Sequence, residues 1–326
     1  MNQESEMLLT TLMDAWTAVA FGRAGQPSQP VRVPREAGRA TGHFSTGVYR
    51  SDAGTLRYKL FVPASYDGTP VPLVVMLHGC RQSADDFARG TAMNKLAEQF
   101  GCIIAYPEQS RRANWHGCWQ WFDKAHHERG QGEPALIAGV TQKILAEYAV
   151  DRAHVGVAGL SAGGAMAVIM GRTYPDLFTA VGCHSGLAHG SATSGRDAML
   201  AMRNGVCVSS PPAMSAKGLP IIVFHGDRDK TVHLNNSDCV VRQSIAARPV
   251  TVPGTAQVVH SNAANATRRA YTRTVHRGGT GEVLAEQWTV HGAGHAWSGG
   301  SRRGSYTDAD GPDASREMLR FFIGDG

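Results

Sequence analysis

The stretch VGVAGLSAGGA, residues 155–165, decides the fold. Apolar Val155, Val157 and Ala158 run into Gly159-Leu160-Ser161-Ala162-Gly163, and an apolar helical pattern continues from Ala165 to Met170. The pattern reads as strand, sharp turn and helix, with Ser161 at the tip. Such a turn is a nucleophile elbow: it forces the serine into a strained backbone conformation and lifts its Oγ clear of the sheet. The flanking glycines are required where strand and helix approach too closely for a Cβ. G-x-S-x-G by itself also describes a serine in the strand-to-helix turn of an ordinary α/β protein, so the rest of the chain must decide.

Buried strands are expected on both sides of the elbow in sequence. Residues 73–77 (LVVML), 102–106 (CIIAY), 180–183 and 220–224 (PIIVF) are continuous apolar runs that suit parallel strands covered on both faces. Residues 89–100 and 133–148 read as helices, and a last helix follows Pro312 over 313–323, with Asp313 as its N-cap. Alternating strand and helix predicts a mostly parallel central sheet with helices on both faces. Two antiparallel pairs flank it. Residues 42–49 and 55–62 form an N-terminal hairpin about Ser51-Asp52-Ala53-Gly54, and residues 271–276 and 283–291 form a second about a glycine-rich turn. Residues 1–40 read as an amphipathic helix followed by a Pro/Gly/Arg-rich linker, and 41–326 as one domain. An insertion near 186–218 lacks a strong period and suits part of a lid.

Composition narrows the function classes. The 326 residues are 42% hydrophobic and 18% charged, a globular balance with ample material for a core. The net charge of +5 comes from scattered arginines with no basic run, which argues against nucleic-acid binding. No run of eighteen apolar residues marks a membrane span. Six cysteines without CxxC spacing suggest neither a metal site nor a small disulfide framework. The compartment stays open. Residues 1–22 lack the basic start of a signal peptide, which favours the cytoplasm, whereas real disulfides would favour an extracellular or periplasmic site.

Four loops after strand ends carry chemistry: His78-Gly79-Cys80, Ser161, Asp227/Asp229 and His295. The order Ser, Asp, His is that of the α/β-hydrolase fold. Ser161 is the candidate nucleophile and His295 its base, the one histidine that follows the last sheet strand in a glycine-rich loop. Either Asp227 or Asp229 could face the imidazole. Asp229 fits better, because Lys230-Thr231-Val232 gives it a D-x-x-V form, while Asp227 suits a backbone bond in the turn. An oxyanion would be met by the Ala162 N–H and, from the His78 loop, by the Cys80 N–H, each worth about 3–4 kcal/mol. His78 itself suits a loop-stabilising hydrogen bond. No metal or other cofactor is called for: Asp123, His126, His127 and Glu128 lack zinc spacing, and the glycine clusters near 278 and 299 do not cradle phosphate.

With these residues in place, the chain resembles the poly(3-hydroxybutyrate) depolymerase family of esterases. The matching stretches are LHGCRQSADDFARGT (77–91), YPEQ (106–109), CWQWF (118–122), RGQGE (129–133), GLSAGGAMA (159–167), FHGDRDKTV (224–232), GAGHAWSGG (292–300) and GSYTDADGPDASREMLRFF (304–322). The resemblance covers the body of the chain from about residue 45 to the end, and its quoted stretches run from 77 to 322. The resemblance implies an α/β-hydrolase fold, a Ser161, Asp229, His295 triad, and an oxyanion hole from the Cys80 and Ala162 amides. It implies a disulfide between Cys80 and Cys118 that braces the oxyanion loop, with Cys207 and Cys239 as a weaker second pairing; Cys102 and Cys183 sit in apolar strands and read as buried thiols. It also implies that Trp119, Trp121 and Trp297 line the substrate cleft, the alternative being ordinary core aromatics.

The family covers enzymes acting on polyesters, on feruloyl or acetyl esters of polysaccharides, and on small esters, and fold and triad do not separate them. The expectation is a serine carboxylesterase acting on hydroxyalkanoate or related polyester bonds. A feruloyl or acetylxylan-type esterase is the nearest alternative. No appended substrate-binding domain is evident, which favours short oligomers, soluble esters or amorphous polymer over crystalline polymer. A third reading, from another class, is a non-enzymatic protein that binds polymer granules through the N-terminal helix; a complete triad argues against it.

Overall fold

The computed structural model describes residues 42–208, 218–248, 254–261 and 268–324. The amphipathic helix and linker expected over 1–40, and with them granule association, lie outside the described residues.

Among the described residues the parallel heart of the sheet is built from the expected apolar runs. These are β3 (Val71–Leu77), β4 (Ile103–Glu108), β5 (Val150–Leu160), β6 (Ala180–His184) and β7 (Ile221–Gly226). The N-terminal hairpin is β1 (His43–Ser51) and β2 (Gly54–Val62), and the C-terminal one is β9 (Tyr271–Arg277) and β10 (Val283–Val290). With β8 (Thr255–Ser261) they form one ten-stranded sheet in the order β1-β2-β4-β3-β5-β6-β7-β10-β9-β8. From β4 across to β10 every neighbouring pair is parallel; β1, β2, β9 and β8 add antiparallel margins. A two-residue ladder, β11 (Trp297–Ser298) with β12 (Thr307–Asp308), lies outside this sheet.

Helices cover both faces. One core cluster packs α1 (Ala84–Thr91), α2 (Met93–Phe100) and α7 (Ala314–Ile323) on one side, with Phe87, Met93, Met318 and Phe322 buried. The other packs α3 (Gly132–Glu147), α4 (Ala162–Thr173), α5 (Gly195–Asn204) and α6 (Asn235–Ala246), with Ile137, Met166, Ala198 and Val240 buried. This is the mostly parallel sheet with helices on both faces that the alternation of runs predicts, and the α/β-hydrolase arrangement that the resemblance implies.

Three local readings change. The helix expected over 89–100 is two helices, because Ala92 turns left-handed (φ 53°) between α1 and α2, and α1 starts earlier, at its Ser83 cap. The insertion contains α5, nucleated by Ser194, whose Oγ accepts from the Asp197 N–H. Finally, α6 and β8 occupy a stretch given no element from sequence.

Candidate active site

The elbow is built as its glycines demand. Ser161 sits between β5 and α4 at φ 56°, ψ −120°, a left-handed backbone that a serine adopts only under constraint. Its N–H donates to the His184 carbonyl at 2.8 Å, tying the turn to the end of β6. A Cβ on Gly159 would stand 2.3 Å from the Gly163 carbonyl oxygen, and one on Gly163 would stand 2.1 Å from that of Leu77. The second contact matters most, for it presses the start of α4 against the end of β3, where the His78 loop begins. The Ala162 N–H opens α4 and has no intrahelical partner. The Cys80 N–H likewise meets no backbone acceptor among the described residues.

The loop bearing Cys80 is braced on three sides. The His78 Nε2 accepts the Gln109 N–H at 3.0 Å while its Nδ1–H donates to the Gly79 carbonyl at 2.8 Å, and burial holds the imidazole below its ordinary value and neutral. The Trp119 indole N–H donates to the His78 carbonyl at 3.1 Å. Cys80 is joined to Cys118 by a disulfide. Buried Glu133 completes the brace, accepting from the Gln120 N–H at 2.8 Å and from the Gln109 amide. The second expected disulfide, Cys207–Cys239, is also present, and burial pushes the free thiols of Cys102 and Cys183 up to about 12.

Asp229 and His295 come together. The Asp229 Oδ2 accepts the His295 Nδ1–H at 2.7 Å, and its Oδ1 accepts the N–H groups of Thr231 (2.8 Å) and Val232 (2.9 Å). Burial alone would raise this carboxyl; the charge and hydrogen bond of His295, with His225 and the Val232 N–H, outweigh it and hold it near about 2. An acceptor at Nδ1 fixes the proton there and leaves the His295 Nε2 lone pair free. Asp227 takes a different part: its carboxylate accepts the Gly292 N–H (2.7 Å) and the His291 Nδ1–H (2.9 Å). It therefore clamps the root of the histidine loop. Gly226 shows how close the two loops run, since a Cβ there would stand 2.4 Å from the Ala293 carbonyl oxygen. Among the described residues the Ser161 hydroxyl makes no hydrogen bond, so the serine and the imidazole are not linked directly in this state.

These loops surround a chain whose residues 56–268 match the family model described as "Esterase PHB depolymerase". The chain belongs to that family. The match includes Ser161 and Asp229 and stops short of His295. Among curated relatives, the poly(3-hydroxyalkanoate) depolymerase C of Paucimonas lemoignei is 29% identical over 76% of this chain and 60% of its own length. Feruloyl esterase B of Neurospora crassa is 29% identical over 56% of this chain and 67% of its own, and acetylxylan esterase A of Talaromyces purpureogenus is 30% identical over 59% and 53%. The chain thus spans between about half and two thirds of the length of these relatives. The solved acetyl xylan esterase of Aspergillus awamori aligns with a TM-score of 0.61 over 77% of this chain and 94% of its own at 22% identity, a likeness of fold.

In this esterase-family chain the three tryptophans expected to line a cleft, Trp119, Trp121 and Trp297, are buried. Trp119 is 0% and Trp297 1% exposed, and Trp121 is 6% exposed. As the loops stand, Trp119 and Trp297 offer a ligand no surface. Trp119 supports the His78 carbonyl from below, while the Trp297 indole N–H donates to the Ser315 hydroxyl at 3.0 Å, pinning the histidine loop to α7. Between β4 and α3 the exposed aromatic is Trp115, at 82%. His126 and His127 each place one ring nitrogen on a backbone carbonyl, Nδ1 on that of Gln120 (3.1 Å) and Nε2 on that of Trp121 (2.8 Å), and Asp123 caps the 3-10 turn Lys124–His127. One residue without a sequence signal stands out at the site: His184, which contacts both the elbow and the histidine loop.

Proposed function

We propose that this protein is a serine carboxylesterase that works through an acyl-enzyme. The observation that carries the reading is the Asp229–His295 hydrogen bond, formed beside an elbow that holds Ser161 in a left-handed turn. In the proposed cycle the Ser161 Oγ attacks the ester carbonyl carbon as the His295 Nε2 takes its proton. The Asp229 carboxylate holds the productive tautomer and stabilises the imidazolium. The tetrahedral oxyanion is met by the Cys80 and Ala162 N–H groups. Collapse of the intermediate expels the alkoxide, which receives the proton from His295. Water then attacks the acyl-enzyme, with the same imidazole as base. The missing Ser161 hydrogen bond fits a resting enzyme, because catalytic hydrogen bonds commonly tighten only when substrate is bound.

For substrate we favour esters of hydroxyalkanoates, as short oligomers or amorphous polyester. The depolymerase relative, aligned over the largest share of this chain among the relatives compared, supports that choice. Esters of polysaccharides are the second reading, supported by the names of the feruloyl and acetylxylan esterase relatives. A panel of p-nitrophenyl acyl esters, hydroxybutyrate oligomers and feruloyl esters separates the two, with Ser161→Ala as control. That variant should fold normally and lose at least about 10⁴-fold in kcat. Retained turnover in Ser161→Ala would end the serine-esterase reading, and a preference for feruloyl esters would replace the polyester one.

A further inference from the structure

The proposed cycle makes no use of His184, yet this residue touches all three segments that carry the triad. It ends β6 and pairs in register with Leu160, the last residue before Ser161. Its carbonyl accepts the Ser161 N–H at 2.8 Å. Its ring reaches the other way: Nε2 accepts the N–H of Ser298, three residues beyond His295, at 3.0 Å. Because Nε2 accepts, the ring proton sits on Nδ1, which donates it in a hydrogen bond to the Ser185 hydroxyl oxygen at 3.2 Å. The two faces are filled by Trp297 (centroids 5.1 Å apart, planes at 26°) and by Phe224 of β7 (5.8 Å, 15°), the strand that leads to Asp229.

We propose that the His184 side chain is a positioning residue, a rigid strut that sets the distance between the serine elbow and the histidine loop. This rests on the Ser161, Asp229, His295 reading. The backbone bond to Ser161 would survive most substitutions, so the side chain matters through its bond to Ser298 and its two stacked faces. Full burial drives this imidazole down to about 3, so it remains a neutral acceptor at neutral pH. A flexible side chain in its place would leave the histidine loop tied down through Trp297 and Asp227 but free to shift by fractions of an ångström. Misplacements of that order lower the rate of a step that needs reacting atoms about 3 Å apart.

The test compares His184→Leu, which fills the space without an acceptor, with His184→Gln, whose amide oxygen can still take the Ser298 N–H. Both are measured for melting temperature and for kcat and KM on p-nitrophenyl butyrate. Folded His184→Leu should lose about 10- to 100-fold in kcat with KM within about threefold, and His184→Gln should recover most of the loss. A folded Leu variant with parental kcat overturns the proposal, as does a Gln variant no better than Leu. If the Leu variant does not fold, His184→Asn replaces it, being polar but too short to reach Ser298. Equal kcat for Gln and Asn at matched melting temperature then overturns the strut. Ser161→Ala run alongside separates the two possible failures. If it turns substrate over, the serine reading falls and the positioning role with it; if it is dead while folded His184→Leu is unimpaired, the positioning role alone falls.

Discussion

Replacing Asp229 with asparagine separates what its carboxylate does for the fold from what it does for the reaction. The Oδ1 bonds to the Thr231 and Val232 N–H groups can persist, since an amide oxygen accepts as a carboxylate does. The Oδ2 position becomes an NH₂ group facing the His295 Nδ1 across what was a 2.7 Å hydrogen bond. A donor there forces the imidazole proton onto Nε2, and the proposed base has then lost the lone pair it needs. In an unrelated triad the same change costs roughly 10⁴ in kcat, so a loss of about 10³- to 10⁴-fold is expected here, or about 4–5.5 kcal/mol of barrier.

The stability cost should be far smaller. The carboxyl falls from its ordinary 3.8 to about 2, a difference worth about 2 kcal/mol. Its folded value is depressed, so this contribution is present above about pH 4 and fades as the pH falls through about 2. At neutral pH the variant should melt only a few degrees lower, with that part of the acid-induced loss between pH 4 and 2 removed. Initial rates on p-nitrophenyl butyrate, with melting curves from pH 2 to 8, measure both effects. Should Asp229→Asn retain more than a tenth of parental kcat while Asp227→Asn is inactive, the wrong carboxylate has been assigned to the imidazole.

Cys118→Ser opens a disulfide between residues 38 apart in the chain, and should cost about 3–4 kcal/mol of stability and about tenfold in kcat as the Cys80 N–H loses its brace. Full activity of the folded variant would show that the brace is dispensable. Gly163→Ala drives a methyl to 2.1 Å from the Leu77 carbonyl oxygen, backbone that cannot step aside, so a loss of about 3 kcal/mol or more is expected. A melting temperature within about 2 °C of the parent would contradict that packing. On the polyester reading, Trp115, exposed three residues before the disulfide-bonded Cys118, would meet the polymer surface. Trp115→Ala should weaken adsorption to amorphous polyhydroxybutyrate films several-fold more than it lowers kcat/KM on soluble esters, as depletion assays would show; equal effects would remove the surface role.

Most of the sheet could be read from the chain because its strands are short apolar runs bounded by turn residues, a signal that lies within five or six positions. The elbow was legible for the same reason: Gly159 and Gly163 mark backbone contacts too close for a side chain, and the structure places those contacts at Gly163 and Leu77. The two helices at 84–100 were not, because the break is a left-handed alanine, and nothing in the residue type announces it. The start of α6 was hidden by polar residues. Asn236 is buried there and donates its side-chain NH₂ to the Ala201 and His233 carbonyls, so an interior position looks like surface in the sequence.

The site divides along the same line. Groups proposed to react sit at strand ends among glycines, where local chemistry betrays them. The groups that hold those loops at fixed distances do not, since Asp227 reaches Gly292 across 65 residues and His184 reaches Ser298 across 114. Each such residue satisfies a purely local reading as well: Asp227 as a turn aspartate, His184 as one more buried residue in an apolar strand. Only the register of β5 on β6, which sets Leu160 beside His184, brings the second residue under the nucleophile. Ester selectivity within a shared fold and triad should therefore be sought in loop spacing, which depends on these distant hydrogen bonds, as much as in the residues a substrate touches.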